Sequence, residues 1–495
     1  MRILLANAPW SKTGFHGVRA GSRWPHFEKK NSCYMPFPFF LAYAAALSKK
    51  NGFDVVLIDA IAEETNEEDF FLTLERLHPD MILYEVSTAS IINDLSIASR
   101  TKTVFGENIK IAFAGAHKEM YDSRFLENQS NVDFVLVGEY EFTLLALLET
   151  IEAGSDLREV LGLIFRDRNG NIIQNPPRPL EMDLDIFPWP AREQLPMHKY
   201  VDTPGGIPTP SLQLWASRGC PFKCIFCAWP QIIYGGSHYR VRSPKDVVDE
   251  LEWCIKEYRF KSFYFDDDTF NIGKPRILAL SKEIKDRKIN LPWAVMARAD
   301  TMDREMLLAM KEAGLYALKY GVESGSQKLV SDACKGLNLE KVREAVRFTR
   351  ELGIKYHLTF MFGLPGETWE TVRETIRFAL EMDPDSIQFS ITTPFPGSRF
   401  YEMMKEKGFL LSEDFNEYDG YNRAVIRTES MSASELEQAL RLAQREYSRH
   451  RIVKDIRCRT LDYLKYGLIH PIKSANRLKE IFLSPAPSGM DKTGS

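Results

Sequence analysis

Two series of short apolar runs, each run followed by a helix-length segment, lie either side of a stretch with nine prolines between Pro176 and Pro210. No other feature constrains this chain as strongly. In the first series, Ile3–Ala6, Val55–Ile58, Met81–Tyr84, Ile111–Ala114 and Phe134–Val137 read as strands, with apolar residues at helical spacing between them, as in Pro36–Lys50 and Phe142–Ala153. This α/β pattern predicts a doubly wound parallel sheet whose ligands sit at the carboxyl ends of the strands. Leu163–Gln174, with Asn169-Gly170 at its centre, predicts a hairpin. The prolines exclude regular structure over 176–210, which reads as a linker. Six further strands are expected near Leu212–Ala216, Ser262–Phe265, Trp293–Met296, Ala317–Gly321, Tyr356–Phe362 and Ser386–Ser390, each followed by a helix. That rhythm fits a partial six-unit βα barrel of the TIM type, with functional groups on the loops after the strands. The expected organisation is thus a first domain over 1–175, the linker over 176–210, the barrel over 211–404 and a mainly helical C-terminal region over 405–495.

A chain of 495 residues exceeds what one hydrophobic core usually serves, so several domains are expected. A net charge of −4 gives nucleic-acid binding no support. Met1–Leu5 runs into Pro9 before an apolar signal segment forms, and no long uninterrupted apolar run follows, so a cytoplasmic protein is expected. Ile452–Phe482 mixes basic with apolar residues, which allows membrane contact through an amphipathic helix, although a packed surface helix is the plainer reading.

Seven cysteines are too few and too uneven for a disulfide scaffold, and three of them, Cys220, Cys224 and Cys227, fall within eight residues just after the first barrel strand. Three thiolates can hold three irons of a cubane and leave the fourth iron open to chelate an amino acid's amine and carboxylate. Zinc would want a fourth ligand, for which His238 is the candidate, but the second ligand pair usual in structural sites is missing. Cys254 reads as a helix-packing residue, while Cys334, near Gly336 just after the fourth barrel unit, is weighed between a small hydrophobe and a residue that approaches the active site.

The segment Cys220-Pro221-Phe222-Lys223-Cys224-Ile225-Phe226-Cys227, with an aromatic residue immediately before the third cysteine, resembles the signature of the radical S-adenosylmethionine (SAM) superfamily. The resemblance continues through Phe265–Phe270 after the second strand, Arg298 and Asp300 after the third, Gly321–Ser326 after the fourth and Phe362–Thr368 after the fifth. It implies a 4Fe–4S cluster on the three cysteines and SAM bound by carboxylates for its ammonium and ribose, an arginine for its carboxylate, and glycines where backbone approaches adenine. Asp267 or Asp268, Glu323, Ser324, Arg298, Gly363 and Gly366 are the candidates. An external one-electron reductant, such as flavodoxin or ferredoxin, is implied as partner.

A sheet domain ahead of such a barrel resembles the cobalamin-binding branch of that superfamily, often called class B when its members are methylases. The resemblance implies cobalamin at the loops after the strands: Asn7–Gly17, Ser87–Ser90, Gly115-Ala116-His117 and Gly138-Glu139. The Asp-x-His-x-x-Gly motif that supplies a lower axial histidine in related domains is absent, His16-Gly17 being only a fragment of it, which leaves the axial ligand open, with His117 a candidate. The methylthiotransferase branch needs three more cysteines in its first domain, where only Cys33 is available. The decorated stretch Arg19–Phe27 is a candidate for substrate contact.

By resemblance, then, reductive cleavage of SAM gives a 5′-deoxyadenosyl radical that takes hydrogen from an unactivated carbon of a small molecule or lipid, and in the methylase version that carbon receives a methyl group from cobalamin. A cyclase like the anaerobic magnesium-protoporphyrin ester cyclase shares the domain order and uses cobalamin without necessarily transferring methyl. A cobalamin or SAM sensor that turns nothing over is the rival from another class, and an open iron argues against it.

Overall fold

The computed structural model describes residues 1–18, 20, 27–30 and 34–458. Arg19–Phe27 and Cys33 therefore fall almost wholly outside the described residues, as does most of Ile452–Phe482.

The first series of apolar runs forms one sheet. Strands β1 (Arg2–Asn7), β2 (Asp54–Asp59), β3 (Met81–Ser87), β4 (Lys110–Ala116) and β5 (Phe134–Leu136) are parallel, and the hairpin β6 (Leu163–Arg166) and β7 (Ile172–Gln174) extends it antiparallel in the order β2-β1-β3-β4-β5-β6-β7. The order reverses at β1, so a crevice opens beyond the carboxyl ends of β1 and β3. β3 and β4 are buried on both faces, which is why they read as continuous apolar runs rather than as alternations.

The second series forms a six-stranded parallel sheet in sequence order: β8 (Ser211–Leu214), β9 (Ser262–Phe265), β10 (Trp293–Ala297), β11 (Leu315–Glu323), β12 (Lys355–Phe362) and β13 (Ser386–Ile391). Its helices start where the sequence places caps. Ser243 accepts from the Asp246 backbone ahead of Pro244–Tyr258, with Pro244 in the first turn, and Thr368 with Thr371 closes a capping box on Trp369–Met382.

The helix Phe39–Lys50 is buried over its first ten residues. One side packs on the helix Glu141–Ala153 and the other on the barrel, where Phe39 stacks on Trp215 with ring centroids 4.2 Å apart. A helix apolar all round is one covered all round. Each such aromatic contributes about 1.5–3 kcal/mol on burial, so the two sheets share one core.

The proline-rich stretch is ordered by short 3₁₀ turns and packs tightly rather than spanning open space. Arg192 is fully buried on Glu250 at 2.9 Å, and Pro204–Gly206 sits against β11 and β12. Beyond the barrel, the helix Arg399–Glu406 leads into an irregular stretch in which Leu410 bridges Ile426, and the long helix Ala433–Cys458 closes the described chain. Among the described residues no helix is long and apolar enough to cross a membrane.

Candidate active site

Gly219 turns the chain into the cysteine loop with φ +86°, and a Cβ there would sit 2.1 Å from the His238 carbonyl oxygen, so only glycine fits. The loop is then tied down from several sides. The Gln231 amide donates to the carbonyls of Cys224, Ile225 and Cys227 at 3.3, 3.2 and 2.7 Å, while its oxygen accepts from the Arg399 backbone at 2.9 Å. Ile225 also exchanges backbone bonds with Ala333 and Phe400. Nothing in the cysteine spacing singles out Gln231; only the fold shows that it holds the loop.

Cys220, Cys224 and Cys227 line one wall of a cavity of about 990 Å³. Burial pushes all three thiols up, and the neighbouring thiols add to this at Cys224 and Cys227. Three crowded, poorly hydrated thiols suit a site where metal displaces their protons. His238 is not among the cavity's lining residues, and no three Cys, His, Asp or Glu side chains among the described residues are grouped as a single ion requires. A cubane with one thiolate per iron suits three thiols, whereas zinc would lack its fourth ligand here.

Four charged side chains face the thiols across this cavity. Arg298 sits over Phe222, its guanidinium carbon 3.6 Å from the ring centroid, and is gripped by Asp300 at 2.5 and 2.9 Å. Asp268 accepts from the Gly219 backbone at 2.9 Å, and the next residue, Thr269, touches the Cys220 sulfur at 3.2 Å. Glu323, held at φ +75°, pairs with Lys335 at 3.0 Å. Sequence reasoning missed Lys335. Its one signal was position, beside Cys334 and just past the fourth barrel unit.

Other expected SAM groups do not reach the cavity. Asp267 is fully buried beneath the loop, accepting from the Ala216 backbone at 2.9 Å and from the Ser217 hydroxyl, because successive residues after β9 point to opposite sides. Ser324 turns outward to Thr375 at 3.1 Å. Gly363 (φ +95°) is packed under Ile426 and Leu436, and Gly366 (φ +82°) turns beside Leu329. Gly363 thus seats the C-terminal region and Gly366 packs on the helix after β11, and neither lines the cavity.

At the carboxyl end of the first sheet, buried polar atoms stand without partners among the described residues: both side-chain atoms of Asn7 at the end of β1, His16 Nδ1 and Asp94 Oδ2. An unsatisfied buried polar atom costs free energy, and a large amide-bearing ligand is the kind of group that would satisfy these. Gly115 adds a cradle, with φ +119° and a hypothetical Cβ 2.3 Å from the Val86 carbonyl oxygen. Gly115→Ala is expected to destabilise the protein by about 1–3 kcal/mol, read as a lower urea midpoint.

Asp94 offers a pH test. Burial pushes its carboxyl up to about 7. Such a group favours folding below its unfolded pKa and loses that advantage as pH rises through the folded one. Without cofactor, the protein is expected to lose up to about 4 kcal/mol between about pH 4 and about pH 7 from this group. Asp94→Asn should remove that slope, measured by urea denaturation across the interval.

Three expected cobalamin contacts are otherwise engaged. Ser87 is hydrogen-bonded to Ser90 at 3.0 Å. His117 is buried, its Nδ1 3.2 Å from Thr88 Oγ1 and its ring against Phe415, so it is packed rather than presented as a ligand. Gly138-Glu139 faces the barrel: a Cβ on Gly138 would meet the Ile233 carbonyl at 3.1 Å, and Glu139 pairs with Arg240 at 2.6 Å and Arg218 at 3.4 Å. With Glu141 2.7 Å from Arg218, two residues before Cys220, the first sheet is fastened to the cysteine loop by a buried ion network.

Residues 216–379 match the family model for the radical SAM superfamily, and residues 34–148 match that for the B12 binding domain. An uncharacterized methyltransferase of Pyrococcus horikoshii is 31% identical over 408 residues, covering 82% of this chain and 86% of its own length. The chain belongs to the B12-binding radical SAM family. The anaerobic magnesium-protoporphyrin IX monomethyl ester cyclase of Rubrivivax gelatinosus is 26% identical over 452 residues, 88% of this chain and 75% of its own. Among solved structures, the cobalamin-dependent SAM radical enzyme OxsB superposes with a TM-score of 0.71 at 16% identity, over 97% of this chain and 72% of that one. The radical SAM methyltransferase TsrM from Kitasatospora setae gives 0.63 at 19%, over 82% and 76%. At these identities the likeness is one of fold. Family membership makes this B12-binding radical SAM chain an enzyme and brings the cofactors: a 4Fe–4S cluster, SAM and cobalamin.

Proposed function

We propose that this enzyme cleaves one SAM reductively to methionine and a 5′-deoxyadenosyl radical and transfers the methyl group of a second SAM, by way of cobalamin, to an unactivated carbon of a small molecule. The observation that carries this reading is the meeting of three thiols and four charged side chains on one cavity, with the cysteine loop fastened to the cobalamin-type sheet. When bound, the cluster supplies the electron that cleaves SAM, and cobalamin carries the methyl group. The chain's own residues position and exclude water. Cys220, Cys224 and Cys227 would hold the cluster, and Arg298, held in position by Phe222 and Asp300, would meet the SAM carboxylate. Asp268 and Glu323 would receive its ammonium and ribose hydroxyls, with Lys335 holding Glu323 in place at 3.0 Å. Phe222, Phe226 and Trp229 line the same cavity and keep the reacting carbon from water.

A division at 1–175, 176–210, 211–404 and 405–495 belongs to the same proposal, with the linker as the floor of the barrel. So does an external flavodoxin- or ferredoxin-type reductant. A second reading, ring formation or oxidation with cobalamin but without methyl transfer, is favoured by the cyclase likeness over 88% of the chain. The test is anaerobic reconstitution with iron, sulfide and hydroxocobalamin, then chromatography after adding SAM, a strong reductant and candidate substrates. 5′-Deoxyadenosine together with S-adenosylhomocysteine supports methyl transfer. Deoxyadenosine alone, alongside an oxidised or cyclised product, supports the second reading, and neither product from a loaded enzyme overturns both.

A further inference from the structure

The cavity does not end at the SAM-type groups. It continues down the barrel interior, along the alternate residues Lys355, His357, Thr359 and Met361 of β12. Barrels of this kind usually fill that space with layers of branched apolar side chains. Here the parallel register sets Lys319 of β11, His357 of β12 and Ser386 of β13 side by side, and all three line the cavity. The layer lies four residues, about 13 Å, below Glu323 along the strand.

His357 Nδ1 is 2.8 Å from Ser386 Oγ, while its Nε2 is buried and has no partner among the described residues. Lys319 extends to Asp202 at 3.2 Å, with the Tyr264 ring 5.6 Å from its ammonium. Burial, with Lys319 adding to it, lowers the His357 pKa to about 3, so the ring is a neutral imidazole. The 202–206 segment closes the space from below: Lys355 Nζ donates to the Gly205 carbonyl at 3.3 Å, and a Cβ on Gly205 would lie 2.5 Å from that of Ala317. Besides the four charged groups that face the thiols, three cations, Lys319, Lys355 and Arg451, and two carboxylates, Asp202 and Asp385, line the cavity, and Asp385 already accepts from the Tyr356 backbone at 3.0 Å.

A polar layer where hydrocarbon is usual, and a buried ring nitrogen lacking a partner, both point to a ligand. We infer that this layer receives the far end of the substrate and that this end is an oxyanion, a carboxylate or a phosphate, bound by His357 Nε2–H and the Lys319 ammonium. Ser386 Oγ–H is here taken as the donor to Nδ1, 2.8 Å away, which puts the ring proton on Nε2. The inference rests on the proposed function only in placing the reacting carbon at the upper end of the cavity. It makes the substrate a water-soluble anion rather than a lipid tail.

The test is calorimetric titration of the reconstituted holoenzyme with inorganic phosphate and, separately, with acetate, with SAM titrated in parallel. One of the anions is expected to bind in the roughly millimolar range, and which one distinguishes the phosphate source from the carboxylate source. His357→Phe and Lys319→Met should each weaken that binding about tenfold or more, and Asp202→Asn, which releases Lys319, should tighten it. His357→Gln, which keeps a donor, should retain most of it and decides the matter with Lys319→Met if the phenylalanine variant does not fold. SAM affinity should stay within about twofold throughout. The inference is overturned if neither anion binds, if the variants bind like the wild type, or if SAM affinity falls in step with anion affinity, which would make the layer part of the SAM site. Failure of the proposed function would show separately, as absence of S-adenosylhomocysteine from wild-type enzyme given SAM, reductant and candidate substrates, and would leave the anion titration readable.

Discussion

Cys224→Ala should leave a folded protein that no longer holds a full cluster and no longer forms 5′-deoxyadenosine from SAM. Losing even an outer-shell partner of a metal site costs about 10–100-fold in affinity or activity, and loss of a direct ligand should exceed that. Cys224 packs against the main core while also lining the cavity, so the small alanine side chain leaves the fold standing. Iron and sulfide analysis together with product chromatography checks it. Full iron content with unimpaired deoxyadenosine formation would remove Cys224 from the site. Cys254→Ala is the contrasting control: that thiol is fully buried between helix and sheet, away from the cavity, and its loss should change stability alone.

The second large effect is expected at Arg218. Its guanidinium is 2.7 Å from Glu141 and 3.4 Å from the partly buried Glu139, and it packs against the rings of Phe187 and Tyr43, with Arg218, Glu141 and both rings buried. Arg218→Met removes the cation and leaves the two carboxylates in a poorly hydrated place, where loss of one partner typically costs about 3–5 kcal/mol. Burial already raises the Glu141 pKa, and Arg218 is the main influence lowering it. Without Arg218 it should rise further. A carboxyl with a raised folded pKa favours folding in acid and loses that advantage as pH rises, so the variant's deficit should be larger at pH 8 than at pH 5. Urea denaturation at the two pH values measures it, and Glu141→Gln in the same chain should restore part of the loss. A deficit below about 1 kcal/mol would mean that the network does not fasten the first sheet to the cysteine loop.

Much of this was legible in the residues. The strands were found because strands buried on both faces leave continuous apolar runs, and the cysteine loop because three thiols crowded into eight residues are what a shared cluster needs and what a disulfide scaffold or a zinc site does not supply. The arrangement of the carboxylates was less legible. Asp267 and Asp268 are equivalent in sequence, yet the alternation after β9 sends one into the packing beneath the loop and the other onto the cavity. Glu139 lies on a loop where cofactor contact was expected, but it faces Arg240 and Arg218, some eighty to one hundred residues away, and no local pattern records such a pairing. Gly363 and Gly366 show the same limit from the other side, since a glycine marks a positive φ without saying what lies beside it.

Periodicity and spacing are local and survive in one dimension, and they were enough for the two α/β series, the break between them and the three thiols. They could not say that the proline-rich stretch floors the barrel, that Lys335 stands beside Glu323, that Gln231 holds the cysteine loop, or that Lys319, His357 and Ser386 form one polar layer. Each of these depends on strand register and side-chain direction between segments far apart in the chain, and those are fixed by packing of the whole core rather than by any neighbouring residue.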